Sequence, residues 1–320
     1  EYIATYVDDV LVFSKGPMAI IEELRKDYVL KGVGQPRYYL GGDVFELDGT
    51  WQKDAIYTAL SAHTYIDRVV EKFEQVFCTP EQAFVFRKYD VPMEPSYHPE
   101  SDDSEFLSPQ NASLYRGLIG SANWMVTLGR YDINYAVNTM ARFNIAPREG
   151  HLKAMQRLFG YLKAYPKGQL LIDTLMPDHS QFMIADQSWT EFYPDASEEL
   201  PHDMPTPKGK TVRTTCYVNA DHAHDLVTRR SVMGILLFMN GMPVKWHSKR
   251  QKTVERSSYG SELVAARMAI DLIIELRYKL RMLGIPIEGP TMMLGDNMSV
   301  VINTMIPSSQ LKKKHNAIAY

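Results

Sequence analysis

The sequence predicts an α+β chain: β-hairpins at its start, a helical middle, and a mixed sheet with helices at its end. Three observations predict this. Apolar residues alternate in short runs at both ends, recur at three- and four-residue intervals through the middle, and a reversal of charge sets the last part apart. With 320 residues, of which 45% are hydrophobic, the chain can build cores for two or three units of the usual ~100–200 residues, and wholesale disorder is excluded.

The elements follow in order. Two apolar runs, Tyr2 to Val7 and Val10 to Phe13, meet at Asp8-Asp9 as a hairpin. A strand is expected at Arg37 to Phe45, then a turn at Gly49-Thr50-Trp51. Ile66, Val69, Val70, Phe73, Val76 and Phe77 share one helical face, with Ser61 or Thr64 available as an N-cap. Thr79 to Pro109, rich in Pro, Asp, Glu and Ser, reads as a connector. Helices are expected at Ala112 to Thr127, Asp132 to Phe143 and Glu149 to Ala164, each with an apolar stripe. From Leu171 to Pro205 there are eight acidic residues and no Lys or Arg, which reads as an acidic linker and a boundary. Lys208 to Arg281 then carries fourteen Lys+Arg against six Asp+Glu, a basic patch. Its pattern is strand (Thr214 to Asn219), strand (Gly234 to Met239), strand (Met242 to His247), long helix (Ser258 to Leu283), strand (Thr291 to Leu294), and a helix from about Met298.

Composition excludes several classes. A net charge of −3 argues against a wholly cationic surface, so nucleic acid would be held by a local patch. Cys78 and Cys216 are the two cysteines, with no CxxC spacing, so neither a disulfide framework nor a zinc module is expected and a reducing, intracellular compartment fits. No run approaches the ~18 apolar residues of a membrane span, and no signal peptide is legible. A strand-like segment begins directly after Glu1, so the amino terminus reads as cut from something longer.

Metal-assisted phosphoryl transfer needs carboxylates converging on two Mg²⁺ about 3.5–4 Å apart, because hard cations take oxygen ligands and both entering and leaving oxygens must be stabilised. Tyr6-Val7-Asp8-Asp9, flanked by strands, supplies part of such a set; an Asp-Asp surface turn fits the same four residues. His222 and His224 lack the further ligands of a zinc site. Lys245, Lys249, Arg250, Lys252 and Arg256, with Trp246 among them, read as phosphate contacts or as a solvated face. The same pair of readings holds for Lys312-Lys313-Lys314, and the seventeen Met residues read as core.

At these residues the chain resembles the reverse transcriptase of copia-type LTR retrotransposons. Tyr6-Val7-Asp8-Asp9 is similar to the polymerase catalytic hairpin, Tyr39-Leu40-Gly41-Gly42-Asp43-Val44 to the family's "FLG-x-E/D-V" strand, and Tyr65-Ile66 onward to its thumb helix. Tyr115-Arg116-Gly117-Leu118-Ile119-Gly120-Ser121, Asp132-Ile133-Asn134-Tyr135-Ala136-Val137 and Arg142-Phe143 resemble its helical block. His151 to Ala154 through Tyr161-Leu162-Lys163 resembles the helix that follows, with Leu152 where the family usually has Trp. Thr228-Arg229-Arg230-Ser231, Trp246 to Gln251, Ser257 to Glu262 and Asp296-Asn297-x-Ser299 resemble, in order and spacing, the ribonuclease H domain of the same polyprotein.

The resemblance implies a palm edge over 1–55, a helical thumb and connection over 56–170, the acidic linker over 171–212 and a ribonuclease H-like domain over 213–320. It implies RNA-directed DNA synthesis and cleavage of RNA in RNA/DNA hybrids, on an RNA template and DNA primer, with Mg²⁺, beside the rest of a Pol polyprotein, in a cytoplasmic particle or the nucleus. Asp8 and Asp9 would hold the polymerase metals; Asp221 or Asn219, Glu262 and Asp296 would hold the nuclease metals. Arg229, Arg230, Lys249, Arg250, Lys252 and Trp246 would contact nucleic acid.

Departures bear on activity. The family reads Asp-Ala-Asp where this chain has Asn219-Ala220-Asp221, and a neutral amide is a poorer Mg²⁺ ligand. Asp221 lies two strand residues, roughly 6.6 Å, from that position. Ala317 stands where the family tends to have Asp, and neither an upstream polymerase Asp nor a final nuclease Asp is present. Both centres read as incomplete. The alternatives are a decayed element that at most binds nucleic acid, and an unrelated metal-dependent phosphatase or nuclease.

Overall fold

A computed structural model of the chain describes residues 1–48, 56–80, 83–182, 191–195 and 197–305; the expected turn at Gly49-Thr50-Trp51 and the segment Lys312 to Ala317 lie outside them. β1 (Tyr2–Tyr6) and β2 (Asp9–Phe13) pair antiparallel with Tyr6 opposite Asp9, so the turn is Val7-Asp8, one residue earlier than the sequence reading places it. Val7 takes a left-handed φ of 51°, as a two-residue loop requires to match strand twist. α1 (Pro17–Leu24) follows, opened by a Pro whose missing N–H is harmless in a first turn.

The strand expected at Arg37 to Phe45 is instead a tight hairpin, β3 (Tyr38–Tyr39) and β4 (Gly42–Asp48), because Leu40 and Gly41 both adopt positive φ. β5 (Ile56–Ser61) pairs with β4 on one side and, after the helical middle, with a late strand at residues 169–171 on the other. That sheet therefore straddles residues 55–56 and 170–171, where composition and resemblance put boundaries. α2 (His63–Phe77) buries Ile66, Val69, Val70 and Phe73. Its N-cap position is Ala62, so neither expected residue caps it in the ordinary way. The Thr64 N–H donates to Asp43 Oδ2 at 2.9 Å, a carboxylate brought by β4, and the His63 N–H donates to Ser61 Oγ at 3.2 Å.

The connector has little regular structure, yet it is packed. Phe86 is buried and its ring lies 5.6 Å from that of Phe159. At Gly160 an added Cβ would meet the Arg87 carbonyl oxygen at 1.9 Å, so only glycine admits the connector's backbone there. α3 (Pro109–Thr127) starts at Ser108, whose Oγ accepts from the Asn111 N–H at 3.3 Å. The helix expected from Asp132 is a 3-10 turn, Tyr131–Ile133, followed by the shorter α4 (Asn134–Ala141). Arg130 fixes that entrance by donating from Nε and Nη2 to the two Asp132 oxygens at 2.9 and 2.8 Å. α5 (Glu149–Ala164) has the ends the sequence predicts. These helices share one core, with Tyr115, Met125, Ile133, Met140, Phe159 and Leu162 fully buried. The Tyr115 hydroxyl donates to the Met140 carbonyl at 2.6 Å, satisfying its polar end.

After β6 (Gln169–Leu171) comes the second large sheet. β7 (Thr214–Asp221), β8 (Val232–Met239) and β9 (Met242–Arg250) form an antiparallel meander, α6 (Ser258–Met282) crosses it, and β10 (Met292–Leu294) returns parallel to β7, before α7 (Met298–Met305). The spatial order is β10-β7-β8-β9. Period-two burial sends Cys216, Val218 and Ala220 of β7 toward Ala265 and Ala269 of α6, small residues that let helix and sheet approach closely. Burial pushes the Cys216 thiol up to about 12. Tyr217, Asn219 and Asp221 take the opposite face.

The acidic segment lies against this basic unit. Glu198 accepts from Arg277 at 2.7 Å and from Arg281 at 3.1 Å. The Arg277 hydrogen bond, then that of Arg281, outweighs burial and brings its carboxyl down to about 2. The architecture is thus mixed α+β, and among the described residues no helix is long and apolar enough to cross a membrane.

Candidate functional site

Glu262 of α6 reaches one edge of the carboxy-terminal sheet, and Asp296 follows the strand that borders that edge. β10 runs alongside β7 only as far as Leu294, opposite Tyr217. Beyond that point no strand among the described residues lies beside the β7 edge, and the Ala220 N–H needs another acceptor. Glu262 Oε1 supplies it at 3.0 Å, from near the start of α6. The helix begins there because Ser257 caps it, its Oγ accepting from the Gly260 N–H at 3.2 Å, and because Gly260 and Ser261 are small enough to be buried. Gln251 fixes the same corner: its Nε2 donates to the Ser261 carbonyl at 2.8 Å. Burial pushes the Glu262 carboxyl upward and the charge of Asp296 adds to this, against the stabilising Ala220 N–H. Asp296, two residues past β10 and exposed, lines a cleft together with Asn219 and Asp221.

Asn219 and Asp221 lie on the outer face, and Asp221 also meets a histidine. Its Oδ2 is 2.7 Å from His224 Nδ1, and His224 Nε2 is 2.7 Å from the Tyr135 hydroxyl on α4. This carboxylate–imidazole–phenol chain ties the end of β7 to the helical unit. Among the described residues no three Asp, Glu, His or Cys side chains form a group that could hold a metal ion. Of the set that the resemblance implies for Mg²⁺, one position is a neutral amide, Asp221 meets His224 through Oδ2, and Glu262 Oε1 accepts from a backbone amide. At the amino-terminal hairpin Asp8 and Asp9 are exposed and line a different hollow, with Met18, Lys31 and Tyr38.

Asp225 joins the helical unit to the sheet. Fully buried, it accepts from Thr228 N–H at 2.7 Å, Thr228 Oγ1 at 2.8 Å and Arg250 Nη1 at 2.6 Å, and from Arg142 of the helical unit. Burial alone would raise its carboxyl, but these donors and charges outweigh it and hold the group well below the usual carboxylate range. Arg250 is thus engaged inside the protein. Arg229, Lys249 and Lys252 are exposed, Arg230 is half-buried, and Trp246 packs beside Tyr131 with ring centroids 5.7 Å apart. Sequence reading missed Tyr135, Arg142 and Asp225 as interacting residues; Asp225 next to a His, four residues after an Asp, was the available signal.

Between the 3-10 turn and α4 on one side and the outer sheet face on the other lies a cleft of about 760 Å³, lined by Tyr131, Tyr135, Tyr217, Asn219, Trp246 and Asp296 among others.

Known proteins extend the picture. The retrovirus-related Pol polyprotein from transposon RE1 of Arabidopsis thaliana is 25% identical over 322 aligned positions, covering 100% of this chain and 18% of that protein. The corresponding polyprotein from transposon TNT 1-94 of Nicotiana tabacum is 26% identical over 285, covering 88% of this chain and 18% of its own length. The chain is a distant homologue of copia-type retrotransposon Pol polyproteins. A putative transposon Ty5-1 protein of Saccharomyces cerevisiae is 25% identical over 259 residues, 79% of this chain and 67% of that one. This homologue of Pol spans about a fifth of the RE1 polyprotein's length. No family model matches the chain, and no solved structure does.

Proposed function

We propose that this chain is the reverse transcriptase–ribonuclease H portion of a Pol polyprotein, and that its carboxy-terminal sheet binds RNA/DNA hybrids without cleaving them. The observation that carries this reading is the β7 edge, where Glu262 and Asp296 face each other's charge while Asn219 offers a neutral amide where the resemblance puts a carboxylate. Arg229, Lys249 and Lys252, exposed on the same unit, supply the cations that hold a phosphate backbone. The homology to Pol polyproteins over the whole chain supports the assignment of both units. Asp8 and Asp9 take the polymerase position in this reading, with an RNA template and DNA primer as partners and Mg²⁺ as the ion that a complete carboxylate set would bind.

The test is a comparison of the chain, Asn219→Asp, and Asn219→Asp with Glu262→Gln, on a labelled RNA/DNA hybrid with and without Mg²⁺. All three should bind hybrid, with affinity falling steeply as salt rises. Only Asn219→Asp should cleave the RNA strand, and only with Mg²⁺. Cleavage by the unaltered chain overturns the non-catalytic reading; cleavage that survives Glu262→Gln overturns the assignment of Glu262.

A further inference from the structure

The outer face of the sheet is built in rows across three strands. Tyr217 lies opposite Leu236, which lies opposite Trp246; Asn219 lies opposite Gly234, which lies opposite Ser248. Gly234 is exposed, and an added Cβ there would meet nothing within 4 Å. A glycine in mid-strand weakens pairing and marks a place where something approaches the backbone closely. Here it forms an open floor within the polar row, beside the aromatic one, and Tyr131 and Tyr135 line the same cleft.

The charges around this cleft are sorted. Among the described residues lining it there is no Lys or Arg, while Asp132, Asp221 and Asp296 are present. An anion is therefore disfavoured inside. A smaller hollow of about 310 Å³ adjoins it, sharing Val232 and Ser248, and is lined by Asn138, Arg142, Lys249 and Arg250. Asp225 neutralises only part of that positive charge, since both Arg142 and Arg250 converge on its one carboxylate. Flat aromatic walls, an amide beside carboxylates, and a cationic hollow next door are complementary to one ligand chemistry. A planar base stacks on the rings, its amino groups donate to Asn219 and Asp296, and its phosphate rests outside against the part of the Arg142 and Arg250 charge that Asp225 leaves unmatched.

We propose that this cleft is a binding site for a single unpaired nucleotide, base inward and phosphate in the adjoining hollow. It rests on the proposed nucleic-acid reading of this sheet, whose Asn219 and Asp296 line the cleft, and names the ligand of its outer face as an unpaired nucleotide. The nucleotide comes either from a single strand or free from solution.

The experiment is equilibrium binding of labelled single-stranded 12-mers, one with bases and one abasic, to the full chain and to Gly234→Val. Valine fills the floor without backbone strain, so its melting temperature should not fall. The unaltered chain should prefer the base-bearing strand by about tenfold or more, and Gly234→Val should lose that preference. Tyr217→Ala, read the same way with its fold checked by circular dichroism, should weaken it as well. Competition by a free nucleoside monophosphate at micromolar level assigns the site to free nucleotide; competition by the strand alone assigns it to nucleic acid. Equal binding of abasic and base-bearing strands, or an undiminished preference in folded Gly234→Val, overturns the proposal.

Discussion

Two regions of this chain carry acidic residues at strand ends, and the fold treats them oppositely. The amino-terminal hairpin presents Asp8 and Asp9 on a two-stranded ribbon whose Ile3, Val10 and Phe13 are exposed. The carboxy-terminal unit brings Glu262, from a 25-residue helix, and Asp296, past the end of β10, to a four-stranded sheet, with a backbone amide and a buried Asp225 fixing the surroundings. A two-stranded ribbon is at best marginal in water, whereas a covered sheet holds its side chains within fractions of an ångström. The same residue types therefore make a positioned edge in one place and a solvated turn in the other.

Mutations can break or sharpen that contrast. The largest effect should come from Asp225→Ala, which strips a shared partner from Arg142 and Arg250; chemical denaturation should show a loss of about 3–5 kcal/mol. Because the folded Asp225 carboxyl lies below its ordinary range, its contribution is present above about pH 4 and is lost as pH falls through the folded value. The difference between parent and Asp225→Ala should shrink on acidification. Leu237→Ala, in the buried face of β8, should cost about 3 kcal/mol, while Phe13→Ala in the hairpin should cost under about 1 kcal/mol by the same measurement.

Glu262→Gln has the opposite sign. A carboxyl whose folded pKa is raised favours folding below its unfolded value and loses that contribution as pH rises through the folded one. The Gln variant, still able to accept from Ala220, should be slightly more stable than the parent at pH 7, by less than about 1 kcal/mol, and the gain should vanish near pH 4. The smallest effect belongs to Asp8→Asn, expected within about 0.5 kcal/mol of the parent at pH 7. A large loss there would show that the hairpin is held as firmly as the sheet.

Much of the fold was legible. α5 runs from Glu149 to Ala164 as its apolar stripe indicates, and β7 through α7 follow the expected order. Local patterns sufficed there because each element buries one face, and that face leaves a period in the sequence. What was not legible depends on partners far away in the chain. Asp43 satisfies the start of α2, Glu198 meets Arg277 and Arg281, and Arg250 is turned inward by Asp225. None of these leaves a period. Within the candidate site, motif order singled out Glu262 and Asp296, but the contact of Asp221 with His224, and of His224 with Tyr135, depends on how α4 docks against the sheet.

The contact at Gly160 has a practical consequence for dissecting the molecule. The segment before α3, which looks dispensable because it is neither helix nor strand, forms part of the wall of the helical core through Phe84 and Phe86. A truncation beginning at Pro109 would strip that wall and leave Phe159 facing water. The shortest piece of the helical half worth expressing thus starts before α2, whatever a composition plot marks as its natural cut.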